Sequence, residues 1–242
     1  MGRIRITGLL LVLVLLLAGC GGEQAHTQQL FAMDTIMNLT AYGGKGEQAL
    51  SAASEKIGEL EKRLSVTDEG SEIYAINHAG GQWVQVSQDT YDLISTALSL
   101  CRATGGALDI TAYPAVRAWG FTTGEYQVPG EAELEELAAK IDYNAVELDE
   151  STCSVRLPQG MELDLGAVAK GWTGRCLAEL LRQSGVKSAV LALGGNAQTV
   201  GTKPGGSSWR VGIQDPAGSQ GAYLATVAVE DKAVVTSGGY QR

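Results

Sequence analysis

Positive charge is scarce in this 242-residue chain: 18 Lys and Arg stand against 27 Asp and Glu, for a net charge of −9 and no basic stripe. A phosphodiester backbone is held by clustered Lys and Arg, so the balance argues against a nucleic-acid partner. Histidine is limited to His26, in a polar stretch, and His78, beside the Gly80-Gly81 turn, and neither has the setting of a metal ligand or catalytic base. Besides Cys20 there are Cys101, Cys153 and Cys176, with no CxxC pair and no Cys/His cluster, which speaks against a zinc site. Cys101 and Cys176 fall among apolar residues of expected helices and Cys153 opens a short expected strand, the pattern of buried free thiols. Neither the Gly-x-Gly-x-x-Gly pattern nor a Walker-type loop occurs, so a bound phosphate would need another architecture. Proline is scarce at 5 residues, whereas glycine reaches 32. Such glycines fit tight loops near a ligand or simply many turns between short strands.

The chain opens with Arg3 and Arg5, an uncharged Leu- and Val-rich stretch over residues 6–18, and then Gly19-Cys20. The stretch falls short of the roughly 20 apolar residues that span a membrane, and it runs into small residues and a cysteine. It reads as a targeting segment, and Leu17-Ala18-Gly19-Cys20 resembles the lipobox of bacterial lipoproteins, in which the cysteine is acylated and becomes the mature N-terminus. An ordinary signal peptide or an uncleaved anchor are the alternatives. Lipid on Cys20 would tether the protein to a membrane surface. The expected organisation is thus a signal peptide over 1–20, a polar linker over 21–30 and one domain over 31–242.

Apolar periodicity outlines that domain. A strand is expected over 31–42, and Leu50, Ala53, Ile57, Leu60 and Leu64 recur at helical spacing. Ser71 and Ser87 are placed to cap helices, the second with an apolar face through Tyr91, Ile94, Ala97, Leu98 and Cys101 that stops at Gly105-Gly106. A third helix runs through Leu134, Leu137 and Ile141, and a hairpin is expected around residues 149–152. A further helix from Gly166 to Gly185 is followed by strands near 189–193, 209–213, 224–229 and 233–235. Helices and strands mix without strict alternation, which favours an α+β fold, a mixed sheet with packed helices, over a doubly wound parallel sheet.

Four segments set glycines or polar residues where an element begins or ends. In residues 105–111, Asp109 lies between Leu108 and Ile110, and burial there requires hydrogen bonds from a ligand or from backbone amides. In residues 162–172, Asp164 precedes a helix start whose amides attract phosphate, with Lys170 in the first turn; a simple N-terminal cap is the alternative reading of Asp164. Gly194-Gly195-Asn196 and Thr236-Ser237-Gly238-Gly239 either let backbone approach a ligand or merely form turns.

Taken in order, these segments resemble the ApbE family of FAD:protein FMN transferases. The resemblance begins at Met33-Asp34-Thr35, where the family has Met-Gly-Thr. It continues through residues 65–73, Gly106-Ala107-Leu108-Asp109-Ile110-Thr111, Trp119-Gly120-Phe121 and residues 164–171, and ends with Gly194-Gly195-Asn196, Trp209-Arg210-Val211 and Thr236-Ser237-Gly238. It implies an ApbE-like, T-fold-related domain. By resemblance, Met33, Thr67, Ala107, Leu108, Asp109, Asp164 and Lys170 are cofactor-binding and the carbonyl of Ala167 ligates magnesium. Thr67 stands where many members carry an aromatic residue over the flavin, and Lys170 where some have Glu. Members normally continue with a His-x-x-Asp-Pro-x-x-Gly segment and an Asp and Thr cluster for the metal, so the resemblance also reads this sequence as truncated at its C-terminus. The implied reaction moves FMN from FAD to a Thr or Ser hydroxyl of an acceptor flavoprotein, with Mg2+, releasing AMP. Hydrolysis of FAD and flavin binding without chemistry are the alternatives. The implied acceptors are subunits of membrane electron-transfer complexes, and the implied location is extracytoplasmic, lipid-anchored at the cell (inner) membrane.

Overall fold

The computed structural model describes residues 23–219 and 221–237. The expected signal peptide and Cys20 lie outside them, as do Gly238 and Gly239. The described chain divides into two compact units. Unit 1 contains residues up to Phe31, Thr35–Ala53 and the chain from Leu177 onward; unit 2 contains Ala32–Asp34 and Ser54–Cys176.

Unit 1 is built on a five-stranded sheet of order β1-β2-β6-β7-β10, formed by β1 (Ala25–Ala32), β2 (Thr35–Tyr42), β6 (Ser188–Leu193), β7 (Asn196–Gly201) and β10 (Ala233–Val235). The pairings of β2 with β6, β6 with β7 and β7 with β10 are antiparallel. Alternate residues of β2, Met37, Leu39 and Ala41, are fully buried and face-matched to Leu193, Leu191 and Ala189 of β6, the period-two pattern of a sheet with one buried face. A separate antiparallel ribbon joins β8 (Trp209–Gln214) to β9 (Tyr223–Val229).

Unit 2 carries α2 (Glu72–Asn77), α3 (Gln88–Ala103), α4 (Tyr113–Ala118), α5 (Glu131–Ala138) and a small sheet of order β3-β5-β4, with β3 at Val84–Gln85, β4 at Glu147–Asp149 and β5 at Ser154–Arg156. Its core joins Leu60, Ile73, Ile76, Leu93, Ile94, Leu98, Val155, Leu163 and Leu165, among others. Ser71 and Ser87 cap α2 and α3 as expected, accepting from the amides of Tyr74 and Thr90. The residues of two long helices, α1 (Gly46–Leu64) and α6 (Gly166–Gln183), are divided between the two units.

Several expectations change. Residues 25–32, read as linker, form β1; its polar side chains suit the outer strand of the sheet, where one row of residues meets solvent. The strand expected over 31–42 is interrupted, because Met33 and Asp34 both adopt left-handed φ values of 49° and 57° and turn the chain between β1 and β2. α4 and β7 were not foreseen: Tyr113-Pro114 starts a helix with proline in its first turn, and β7 is rich in polar residues. Cys101 is buried, and that burial raises its thiol pKa and keeps it neutral, but Cys153 and Cys176 are only half-buried.

The turn at Asp34 accounts for glycine at this position of the family pattern. Asp tolerates a left-handed φ better than most residues, and β-branched residues tolerate it poorly. Asp34→Gly is expected to be neutral in stability, relief of strain offsetting the greater freedom of the unfolded chain, while Asp34→Val lowers stability by about 1–2 kcal/mol; urea denaturation measures both.

Candidate functional site

The two segments singled out in residues 105–111 and 162–171 are joined in unit 2. The Asp164 amide donates to the Ile110 carbonyl at 2.8 Å, and Ala112 and Glu162 form a parallel bridge. Arg117 of α4 grips the Glu162 carboxylate with both terminal nitrogens, at 2.6 and 2.9 Å, beside that bridge. The Asp109 carboxylate sits inside this junction. Its Oδ1 accepts from the amide and hydroxyl of Thr111 at 2.8 and 2.6 Å, and its Oδ2 from the Tyr143 amide at 3.0 Å. The donors that its partial burial demands are therefore backbone amides and one hydroxyl, so Asp109 shapes the turn that presents Ala107, which is exposed, and Leu108, which is half-buried.

Asp164 is half-buried at the entrance to α6. Its Oδ1 accepts from the Gly166 amide at 2.6 Å, a turn that begins the helix, and among the described residues its Oδ2 has no donor. Gly166 and Ala167 are exposed at the helix start, and Lys170, half-buried one turn on, has no ion-pair partner among the described residues. Asp164 Oδ1 engages the Gly166 amide and the Leu165 carbonyl those of Val168 and Ala169, so the helix start offers an anion the Ala167 amide, with the Lys170 ammonium one turn on.

Met33 belongs to the same unit. Its amide donates to Glu61 Oε1 of α1 at 2.6 Å, and its sulfur accepts from the hydroxyl of Thr173, a fully buried residue of α6, at 3.7 Å. Both neighbours hold the left-handed turn, and neither Glu61 nor Thr173 had been singled out from sequence. The loop after α1 is closed by Ser65, whose hydroxyl accepts from the amides of Thr67 and Asp68 at 3.2 and 3.0 Å. Thr67 is exposed, and among the described residues its hydroxyl meets only Ser65, at 3.3 Å. All eight residues named by resemblance thus fall in unit 2.

The two remaining segments meet in unit 1, where the Gly195 carbonyl accepts from the amide of Thr236 at 3.2 Å. Gly194 has φ 72°, and a Cβ there would lie 2.7 Å from Thr35 Oγ1. Close approach of protein groups already explains this glycine.

A depression of about 800 Å3 lies elsewhere in unit 2, lined by Trp83 and residues 147–151. Arg156 pairs with Glu147 at 2.6 Å and lies 5.0 Å from the centre of the Trp83 ring, and none of the site residues lines the depression.

The model of the ApbE family matches residues 33–242. The chain belongs to the ApbE family. Curated relatives include the FAD:protein FMN transferase of Klebsiella pneumoniae (strain 342), 35% identical over 198 residues that cover 81% of this chain and 61% of the relative. That of Treponema pallidum (strain Nichols) is 32% identical, with 96% of this chain and 71% of the relative covered. Among solved structures, the ApbE protein of Thermotoga maritima superposes with a TM-score of 0.84 at 29% identity, covering 90% of this chain and 72% of that one. The flavin transferase ApbE from Vibrio cholerae gives 0.80 at 24% identity over 91% of this chain and 73% of that one, and shows the shared fold. The mixed α+β architecture with antiparallel sheets is therefore the ApbE fold. The chain spans about three fifths to seven tenths of the curated relatives' lengths.

Proposed function

We propose that this ApbE-family chain acts as an FAD:protein FMN transferase. The observation that carries the reading is the Asp164 to Ile110 hydrogen bond, which gathers the Ala107-Leu108-Asp109 turn and the start of α6 into one surface. That surface suits a flavin dinucleotide: the Ala167 amide and the Lys170 ammonium for the pyrophosphate, and apolar Leu108 and Met33 for the ring system. Asp164 orients the ligand through its unengaged oxygen. In the reaction the acceptor's Thr or Ser hydroxyl oxygen attacks the FMN-side phosphorus, the bond to the bridging oxygen breaks, AMP leaves with that oxygen, and the hydroxyl proton is released. Such phosphoryl transfer asks the protein for positioning and charge neutralisation more than for covalent chemistry.

Magnesium fits less well. The described residues contain no group of three His, Cys, Asp or Glu placed to hold a metal, and the Ala167 carbonyl alone makes no site. The acceptors we propose are flavoprotein subunits of membrane electron-transfer complexes. They would be met on the outer face of the cell membrane, with this chain anchored by lipid on Cys20.

Incubating the chain with FAD, with and without a threonine-bearing acceptor, and following AMP release and flavin fluorescence on the denatured acceptor, tests the reading. Transfer yields AMP and fluorescent acceptor in equal amounts, and only when both substrates are present. AMP without acceptor identifies hydrolysis instead, saturable FAD binding without AMP identifies a flavin carrier, and no FAD binding overturns the reading.

A further inference from the structure

We infer that Asn77, at the end of α2, is a positioning residue for the Asp164–Lys170 segment. The inference rests on the flavin reading of that segment. Leu163 is fully buried in extended backbone just before α6. Its neighbours Glu162 and Asp164 turn toward Ala112 and Ile110 on one side. In extended chain the Leu163 amide and carbonyl point the opposite way, and buried backbone groups require partners there. The Asn77 carboxamide supplies both: Nδ2 donates to the Leu163 carbonyl at 2.9 Å, and Oδ1 accepts from the Leu163 amide at 2.7 Å. One side chain from 86 residues away in sequence thus takes the place of a neighbouring strand.

The other end of α2 is equally fixed. Its cap, Ser71, donates its hydroxyl to the Ser65 carbonyl, and Ser65 holds the amides of Thr67 and Asp68. Ile73 and Ile76 bury the helix in the core of unit 2. Asn77 therefore sets the Asp164 segment at a fixed distance from the Thr67 loop. Asparagine is the side chain that does this at neutral pH, since it offers one donor and one acceptor from a planar group. Displacement of a ligand-contacting group by about 1 Å is enough to cost up to a hundredfold in function.

The test is FAD affinity, by quenching of flavin fluorescence on the full chain, across about pH 4.5 to 8, for wild type, Asn77→Ala, Asn77→Asp and Ile76→Val. Asn77→Ala is expected to weaken FAD binding about tenfold or more at every pH. In Asn77→Asp the protonated acid mimics the amide, its O–H donating to the Leu163 carbonyl, whereas the carboxylate has no donor. Its folded pKa is accordingly raised above the usual value of about 3.9, so the clamp is present at low pH and lost as pH rises through that pKa. The affinity of Asn77→Asp relative to wild type should fall as pH rises. His78, Glu162 and Asp164 are common to both proteins, and the ratio removes their contribution. Ile76→Val, on the same helix, lowers thermal stability by trimming the core yet leaves FAD affinity unchanged. An Asn77→Ala affinity within twofold of wild type, or a pH-independent ratio for Asn77→Asp, overturns the inference; should Asn77→Ala not fold, the ratio decides alone. Wild type that binds no FAD overturns the flavin reading, and the inference with it.

Discussion

Asp164→Ala is expected to abolish saturable FAD binding at concentrations that fill the wild-type site, a loss of about a hundredfold or more in affinity. Two effects combine. The first is local: Oδ1 accepts from the Gly166 amide at 2.6 Å and so starts α6, and removing such a group costs about 1 kcal/mol. The second concerns the ligand. With Oδ1 engaged, Oδ2 is the oxygen available to FAD, and a desolvated charge-assisted hydrogen bond of this kind is worth about 1.5–3 kcal/mol. Asp164→Asn separates the effects, because its amide oxygen still accepts from Gly166 while its NH2 replaces the second acceptor. The Asn variant should keep wild-type stability and still lose at least tenfold in FAD affinity. Calorimetric titration with FAD beside thermal melting reads both quantities, and wild-type affinity in Asp164→Ala would remove Asp164 from the site.

The core and the larger helices were legible because burial in them follows period. Leu50, Ala53, Ile57 and Leu60 recur at helical spacing and all are buried, and the serine caps at 71 and 87 sit where their side chains meet the third amide onward. What escaped was set by long-range pairing. β1 and β7 carry His, Thr, Gln and Asn, and their strand character comes from the neighbours they pair with, which a local pattern does not encode. In the site, Asp109 stands as a carboxylate between apolar residues, which makes its need for donors legible in the sequence. That the donors would be Thr111 and Tyr143 depended on residues up to 34 positions away. Glu61, Asn77 and Thr173 gave no signal at all. Each lies on a helix and acts on the backbone or sulfur of a distant residue, so only the fold reveals it. Asn77 ends a six-residue helix, where a polar residue is unremarkable by composition.

The largest expected change in stability comes from Gly201→Ala in unit 1. Gly201 ends β7, paired in register with Ser188 of β6, at φ 54°. A Cβ built there lies 2.1 Å from the Lys187 carbonyl oxygen, far inside contact distance and against backbone. Gly120 meets a similar obstacle, the Glu125 carbonyl at 2.0 Å, but both residues lie in the turn after α4, outside any strand. Gly201 has less room to move. Its amide donates to Asp231 at 2.8 Å, Asp231 is in turn bound by Arg182 of α6 at 2.6 Å, and the preceding residues of β7 are held by β6 and, at Thr199, by Lys232. The left-handed backbone costs alanine about 1–2 kcal/mol, and forced movement of the strand end adds about as much again. Gly201→Ala should therefore lose about 2–4 kcal/mol, a fall of about 10 °C in Tm for a chain of this size, with Gly120→Ala milder. Differential scanning calorimetry of the two variants checks the order as well as the size. A Gly201→Ala melt within about 2 °C of wild type, below the shift that 1 kcal/mol produces, would mean that the β6 to β7 connection yields where its hydrogen bonds say it is fixed.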